Sequence, residues 1–166
     1  MNKKGFTLVE IVVTISILSI LTAITIPTYI SWLPKHRLQT SVRQIYDDLN
    51  LAKMEAVRTN TVAVAIFYPF NNTYSIFLDK SDPVNYALDA SDTSIRSGAT
   101  LENGTNLYET TAPVGNTFGF NNRGLLTTGA GQIHLKSQNG LYLGVDLNIA
   151  GGLNIIKSTD NGATWN

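Results

Sequence analysis

Between Phe6 and Ile26 the chain carries an apolar run, preceded by Lys3 and Lys4 and interrupted by one charge, Glu10. As a helix, a run of about 20 such residues is long enough to cross a bilayer core of about 30 Å. A chain with this end folds in two parts: a helix that needs lipid or other helices around it, and a separate domain behind it. Glu10 is the anomaly. A carboxylate about one turn into hydrocarbon costs about 2.5 to 3.5 kcal/mol on insertion scales, so a functional partner is expected for it.

An ordinary secretory signal has a shorter apolar region with a small-residue cleavage site behind it. Here the run passes through Thr22-Ala23-Ile24-Thr25-Ile26-Pro27 without such a site. An ordinary membrane anchor accounts for the length and leaves Gly5-Phe6 and Glu10 as coincidences. The stretch Gly5-Phe6-Thr7-Leu8-Val9-Glu10 resembles the class III signal of type IV pilins and type II secretion pseudopilins. The resemblance implies that a prepilin peptidase cuts between Gly5 and Phe6, that Phe6 is then N-methylated, and that Glu10 serves assembly with other pilin-like subunits. It divides the chain into a leader (1–5), a transmembrane and filament-core helix (6–27) and an extracytoplasmic domain (28–166). It also implies a cytoplasmic leader, a single pass through the inner membrane, and later residence in a periplasmic or extracellular filament. Charge alone does not set this orientation, because Lys35, Arg37 and Arg43 stand beyond the run much as Lys3 and Lys4 stand before it.

The 12 basic and 12 acidic side chains balance, so overall charge provides no footprint for nucleic acid. Cysteine is absent. An exported domain of this composition must hold together by packing, sheet hydrogen bonds or a bound ion.

Past Ile26 the pattern becomes a stripe. Leu38, Val42, Ile45, Leu49, Ala52 and Ala56 recur at helical spacing, with polar residues, among them Asp47 and Asp48, largely between them. The stripe predicts a helix to about Asn60 that continues the membrane helix and roofs a sheet. Pro27 and Pro34 interrupt it; each removes a donor and crowds the preceding turn, so a bent or locally melted helix is expected between them. The alternative is that Pro34 opens a second helix. Thr61 to Tyr68 and Thr73 to Leu78 then form a hairpin, and Asp79 to Thr93 a long polar loop. Gln132 to Ser137, Asn139-Gly140 and Leu141 to Leu147 read as a second hairpin with one face of each strand buried. Leu153 to Lys157 is a closing strand. The fold class is α+β: a long amino-terminal helix packed on an antiparallel β-sheet, pilin-like in architecture.

Leu51 to Asn60 before a strand, and Phe118-Gly119-Phe120-Asn121-Asn122-Arg123-Gly124 ahead of two hairpin strands and a glycine turn, resemble the GspH/FimT group of minor pseudopilins and minor pilins. That resemblance implies a minor, tip-associated subunit of a type II secretion pseudopilus, with a minor type IV pilus subunit, active in assembly or DNA uptake, and a major pilin as alternatives. DNA binding requires clustered cations to neutralise phosphates. Arg123, Lys136 and Lys157 are widely spaced in the sequence, so DNA is not supported as a partner. Within the polar loop, Asp82, Asp89 and Asp92 are candidate calcium ligands, the one cofactor considered, at a spacing that matches no named calcium loop. Some pseudopilins do bind that ion.

Ser158 to Trp165 fits the pattern S-x-D-x-G-x-T-W of the Asp-box, and is expected to form a turn that tucks Trp165 against the sheet. Catalysis is not expected. His36 and His134 are the only histidines, and neither a nucleophile elbow nor a phosphate-binding loop occurs. Asp47 and Asp48 point about 100 degrees apart on a helix, do not converge, and read as a solvated helix face.

Overall fold

A computed structural model describes residues 5–80, 85–112 and 114–166. The chain divides into two units, which join between Leu33 and Pro34. Helix α1 (Leu8–Thr59) supplies all the regular structure of the first unit and the first element of the second. Thr7 caps its start: the hydroxyl accepts the Glu10 N–H at 3.3 Å, and the carbonyl accepts the Ile11 N–H at 3.2 Å. Orphan donors of the first turn are thereby satisfied. Along the apolar run, Thr14, Ser16, Ser19, Thr22 and Thr25 donate their hydroxyls to carbonyls three or four residues earlier. An apolar helix can carry hydroxyls in this way without leaving them unpaired in lipid.

Residues 27 to 34 are all helical, which corrects the expectation of local melting between the prolines. Neither does Pro34 open a second helix. Each ring deletes one ladder bond, at a cost of about 3 kcal/mol, but the turns on either side keep theirs and helix propagation is cooperative. The hydroxyls of Thr28 and Ser31 also bond backward, to the carbonyls of Ile24 and Thr28.

In the second unit the stripe Leu38, Val42, Ile45, Leu49, Ala52 and Ala56 is buried. The helix stops where the pattern predicts. Asn60 adopts φ 54° and the Thr61 N–H reaches back to the Ala56 carbonyl at 3.2 Å, a Schellman ending that turns the chain into the first strand.

Eight strands follow: β1 (Val62–Tyr68), β2 (Thr73–Asp79), β3 (Thr93–Thr100), β4 (Thr105–Thr110), β5 (Thr117–Phe120), β6 (Gly131–Ser137), β7 (Tyr142–Leu147) and β8 (Leu153–Ser158). They form two four-stranded antiparallel sheets, ordered β3-β2-β1-β5 and β4-β6-β7-β8. The single sheet expected from the sequence is thus two. Both expected hairpins are present: β1 and β2 are joined by a 3-10 turn, Pro69–Asn71, and β6 and β7 by a turn in which Gly140 takes φ +73°.

One hydrophobic core joins the helix stripe to both sheets, with Phe67, Tyr74, Ile76 and Phe118 from the first and Ile133, Leu135, Val145 and Leu147 from the second. Phe67 stacks on Tyr74 at 5.5 Å and meets Phe118 edge-on at 6.0 Å, the offset and T-shaped geometries that ring quadrupoles favour. The outer faces are partly covered as well, so the strands do not bury one side only. Tyr86 lies against Gly119 in the first sheet, where a Cβ would stand 2.8 Å from its ring. On the second sheet Trp165 stacks on His134 at 3.8 Å and 6°.

Candidate functional site

Gly5, Phe6 and Thr7 precede α1 in non-helical backbone. Nothing lies within 4 Å of where a Cβ on Gly5 would stand, and Phe6 is 80% exposed. Every side chain from Leu8 to Ser31 is exposed within the chain, and one stretch of α1 is long and apolar enough to cross a membrane. Uncovered apolar surface on this scale marks a lipid or protein contact. Glu10 lies in the first turn, where the exposed N–H groups and the helix dipole favour an anion. Pro27 and Pro34 lie in helical backbone, the first near the end of the apolar run and the second at the start of the sheet-bearing unit.

Asp47 is exposed, but Asp48 is buried at 5%, which corrects the reading of both as a solvated face. Asp48 falls three residues after Ile45 and so belongs to the inward stripe. Its carboxylate accepts two bonds from Arg96, at 2.6 and 3.1 Å, and one from the Tyr74 hydroxyl at 2.5 Å. Gln44 donates to the same hydroxyl at 3.0 Å. Burial, with the neighbouring Asp48 anion, pushes the Tyr74 pKa up, so the phenol remains a donor. This network ties α1 to β2 and β3.

Of the calcium candidates, Asp82 lies outside the described residues. Asp89 accepts from Ser91 and Asn85, and Asp92 accepts the N–H groups of Lys80 and Asp89, each at 2.9 Å. These carboxylates organise their own loop. Among the described residues no group of three or more His, Cys, Asp or Glu side chains is placed to hold a metal.

The Asp-box forms the expected turn. Asp160 accepts the hydroxyl and N–H of Thr164 and the hydroxyl of Ser158; these bonds, Thr164 first, hold its pKa down to about 2. A lowered carboxylate contributes stability above its unfolded value, lost as the pH falls through about 2. The turn therefore survives mild acid. Burial lowers the His134 pKa, with Glu109 opposing the shift, and a neutral ring suits the Trp165 stack.

The basic residues are less dispersed than their sequence positions suggest. Lys35 and Lys157 line one groove with Tyr142, and Lys136 Nζ stands 5.2 Å from the centroid of the same tyrosine ring. Sequence reasoning missed this convergence because β6, β7 and β8 must pair before it exists. Arg123 lies elsewhere, in the turn after β5, next to Gly124. Lys53 of α1 donates to the Gly151 carbonyl at 2.8 Å, and a Cβ on Gly151 would collide with the Gly124 carbonyl oxygen. The glycine turn is thus a close backbone crossing beneath α1.

A long helix, bare over its first half and built into antiparallel sheets over its second, is the fold of the pilin and pseudopilin class. Residues 41–151 match the family described as type II transport protein GspH, and residues 1–26 match the prokaryotic N-terminal methylation motif. The chain belongs to the GspH family. The minor pseudopilin EpsH from the type 2 secretion system of Vibrio cholerae is similar in fold, with a TM-score of 0.55 and 14% identity over 75% of this chain and 99% of that one. The type IV minor pilin FimU of Pseudomonas aeruginosa is also similar, with a TM-score of 0.51 and 14% identity over 73% of this chain and 89% of that one. No curated protein matches in sequence.

Proposed function

We propose that the chain is a minor subunit of a type II secretion pseudopilus, entering the filament at or near its tip and acting by assembly rather than catalysis. The observation that carries this reading is a fully exposed apolar helix with one acidic side chain in its first turn, immediately behind Gly5-Phe6. The methylation-motif match over residues 1–26 and the family match over residues 41–151 support it. Prepilin peptidase cuts after Gly5 and Phe6 is methylated. The subunit is stored in the inner membrane through residues 6–27, leader side in the cytoplasm, with residues 28–166 exported.

Extraction into the filament follows when the Glu10 carboxylate meets the terminal amine of a neighbouring Phe6. In a low dielectric the pair attracts strongly, but desolvating both ions offsets much of the gain, so the contact mainly sets register and recruitment. The partner charge does not exist until the Gly5–Phe6 bond is cut. A type IV pilus role is the second reading, supported by the fold shared with FimU. Deletion of the gene separates the two. The first expects folded cargo to accumulate in the periplasm with pili intact; lost pili with normal secretion would replace it with the second.

A further inference from the structure

The groove that holds Lys35 and Lys157 has a volume of about 280 Å3. It runs between the first turns of α1 in the sheet-bearing unit and strands β7 and β8. Its floor is apolar: Leu38 is fully buried, Tyr142 nearly so, and Leu141 is 39% exposed. Its rim is cationic, with Lys35 on the helix side and Lys157 on the strand side. Among the described residues neither lysine ammonium is ion-paired with a carboxylate, and Lys157 meets Asn166 through its backbone, its N–H donating at 2.8 Å. The Asp160 carboxylate, three residues after Lys157, accepts bonds from Thr164 and Ser158. Two ammonium groups over an apolar floor complement an anionic amphiphile, whose phosphate meets the rim and whose glycerol and upper acyl carbons meet Leu141 and Leu143.

The position of Lys35 in the chain selects among amphiphiles. It follows Trp32 by three residues, so whatever the orientation of the two units their Cα atoms are at most about 11 Å apart. Trp32 pairs with Tyr29 at 6.4 Å, just past the apolar run. Tryptophan and tyrosine at the end of a membrane span mark headgroup depth. Anionic headgroups at that depth attract nearby lysines.

We propose that the Lys35–Lys157 groove binds the headgroup of an anionic phospholipid while the subunit is stored in the membrane. The proposal rests on the membrane storage argued above. The bound lipid clamps the exported domain to the bilayer and must be released when the helix leaves for the filament.

The test uses the full chain reconstituted in bilayers of phosphatidylcholine alone or mixed equally with phosphatidylglycerol. Flotation reports anchoring, and native mass spectrometry of the released protein reports retained lipid. The expected result is flotation with both bilayers and preferential retention of phosphatidylglycerol. Retention should fall about thirtyfold in the K35E/K157E double variant, at about fivefold per lysine, fall about fivefold in K35E or K157E alone, and be unchanged in K80E, the same single substitution outside the groove. Both substituted lysines are exposed, so the fold is not at stake, and an unchanged far-UV spectrum confirms it. Flotation with equal retention of the two lipids, or loss of retention in K80E as well, overturns the groove proposal alone. Failure to float with either bilayer overturns membrane storage and the proposal with it. Displacement of phosphatidylglycerol by a short DNA duplex at physiological salt would make the groove a nucleic-acid contact and also overturn it.

Discussion

Glu10→Ala is expected to leave membrane insertion and cleavage after Gly5 intact while reducing incorporation into filaments by a hundredfold or more. Insertion should improve, since the variant no longer carries a charge costing about 2.5 to 3.5 kcal/mol in hydrocarbon. Cleavage should persist because the scissile bond lies in the non-helical segment before α1. The helix start should persist too: the Thr7 hydroxyl bonds the backbone N–H of residue 10, which alanine retains. What the variant lacks is the anion opposite a neighbour's amine. Leaving one member of a desolvated pair without its partner costs about 3 kcal/mol or more. The check is the ratio of subunit in sheared filaments to subunit in membranes, beside an intact-mass measurement of the membrane pool. Glu10→Gln, equal in shape and without charge, should behave like the alanine variant. Normal incorporation of either would remove Glu10 from the assembly mechanism.

Asp48→Ala is expected to destabilise the sheet-bearing unit strongly. It strands the Tyr74 hydroxyl, in a side chain only 1% exposed, with a donor, Gln44, and no acceptor. It also deprives Arg96 of both its bonds. Breaking a fully buried pair costs about 3 to 5 kcal/mol, but Arg96 is 49% exposed and recovers water, so about 2 to 4 kcal/mol is expected. For a domain of this size that lowers Tm by roughly 10 °C. Asp47→Ala, one residue away and exposed, should change it by no more than about 2 °C. Thermal unfolding of the full chain in detergent, followed by near-ultraviolet circular dichroism, compares the two. Equal effects would mean that the network is not what joins α1 to the first sheet.

The contrast between those two aspartates shows what the sequence carries and what it hides. Asp48 was legible in principle, three residues after Ile45 and one before Leu49, but its twin Asp47 made a solvated face the natural reading. The helix was plain because its stripe has a strong period, and its end at Asn60 because the strand composition begins at once. β3 escaped notice because Thr93-Ser94-Ile95-Arg96-Ser97-Gly98-Ala99-Thr100 is an edge strand, largely exposed, with an irregular register against β2 and Gly98 at φ +56°. β4 escaped because Leu107 is its one buried apolar side chain. Without those two edges, the remaining strands read as one sheet rather than two. The amino-terminal signal was legible because it is contiguous. The lysine groove was not, because its members stand more than 100 residues apart and meet only through strand pairing.

The role proposed for Glu10 depends on cleavage between Gly5 and Phe6, which creates the amine it would meet. The most direct test is the intact mass of the chain recovered from the inner membrane of cells expressing it from its own promoter. The expected product is a chain that begins at Phe6 and carries one methyl group on its terminal amine. A chain that retains Lys3 and Lys4, or one that begins beyond Ile26 as after an ordinary secretory signal, would contradict it.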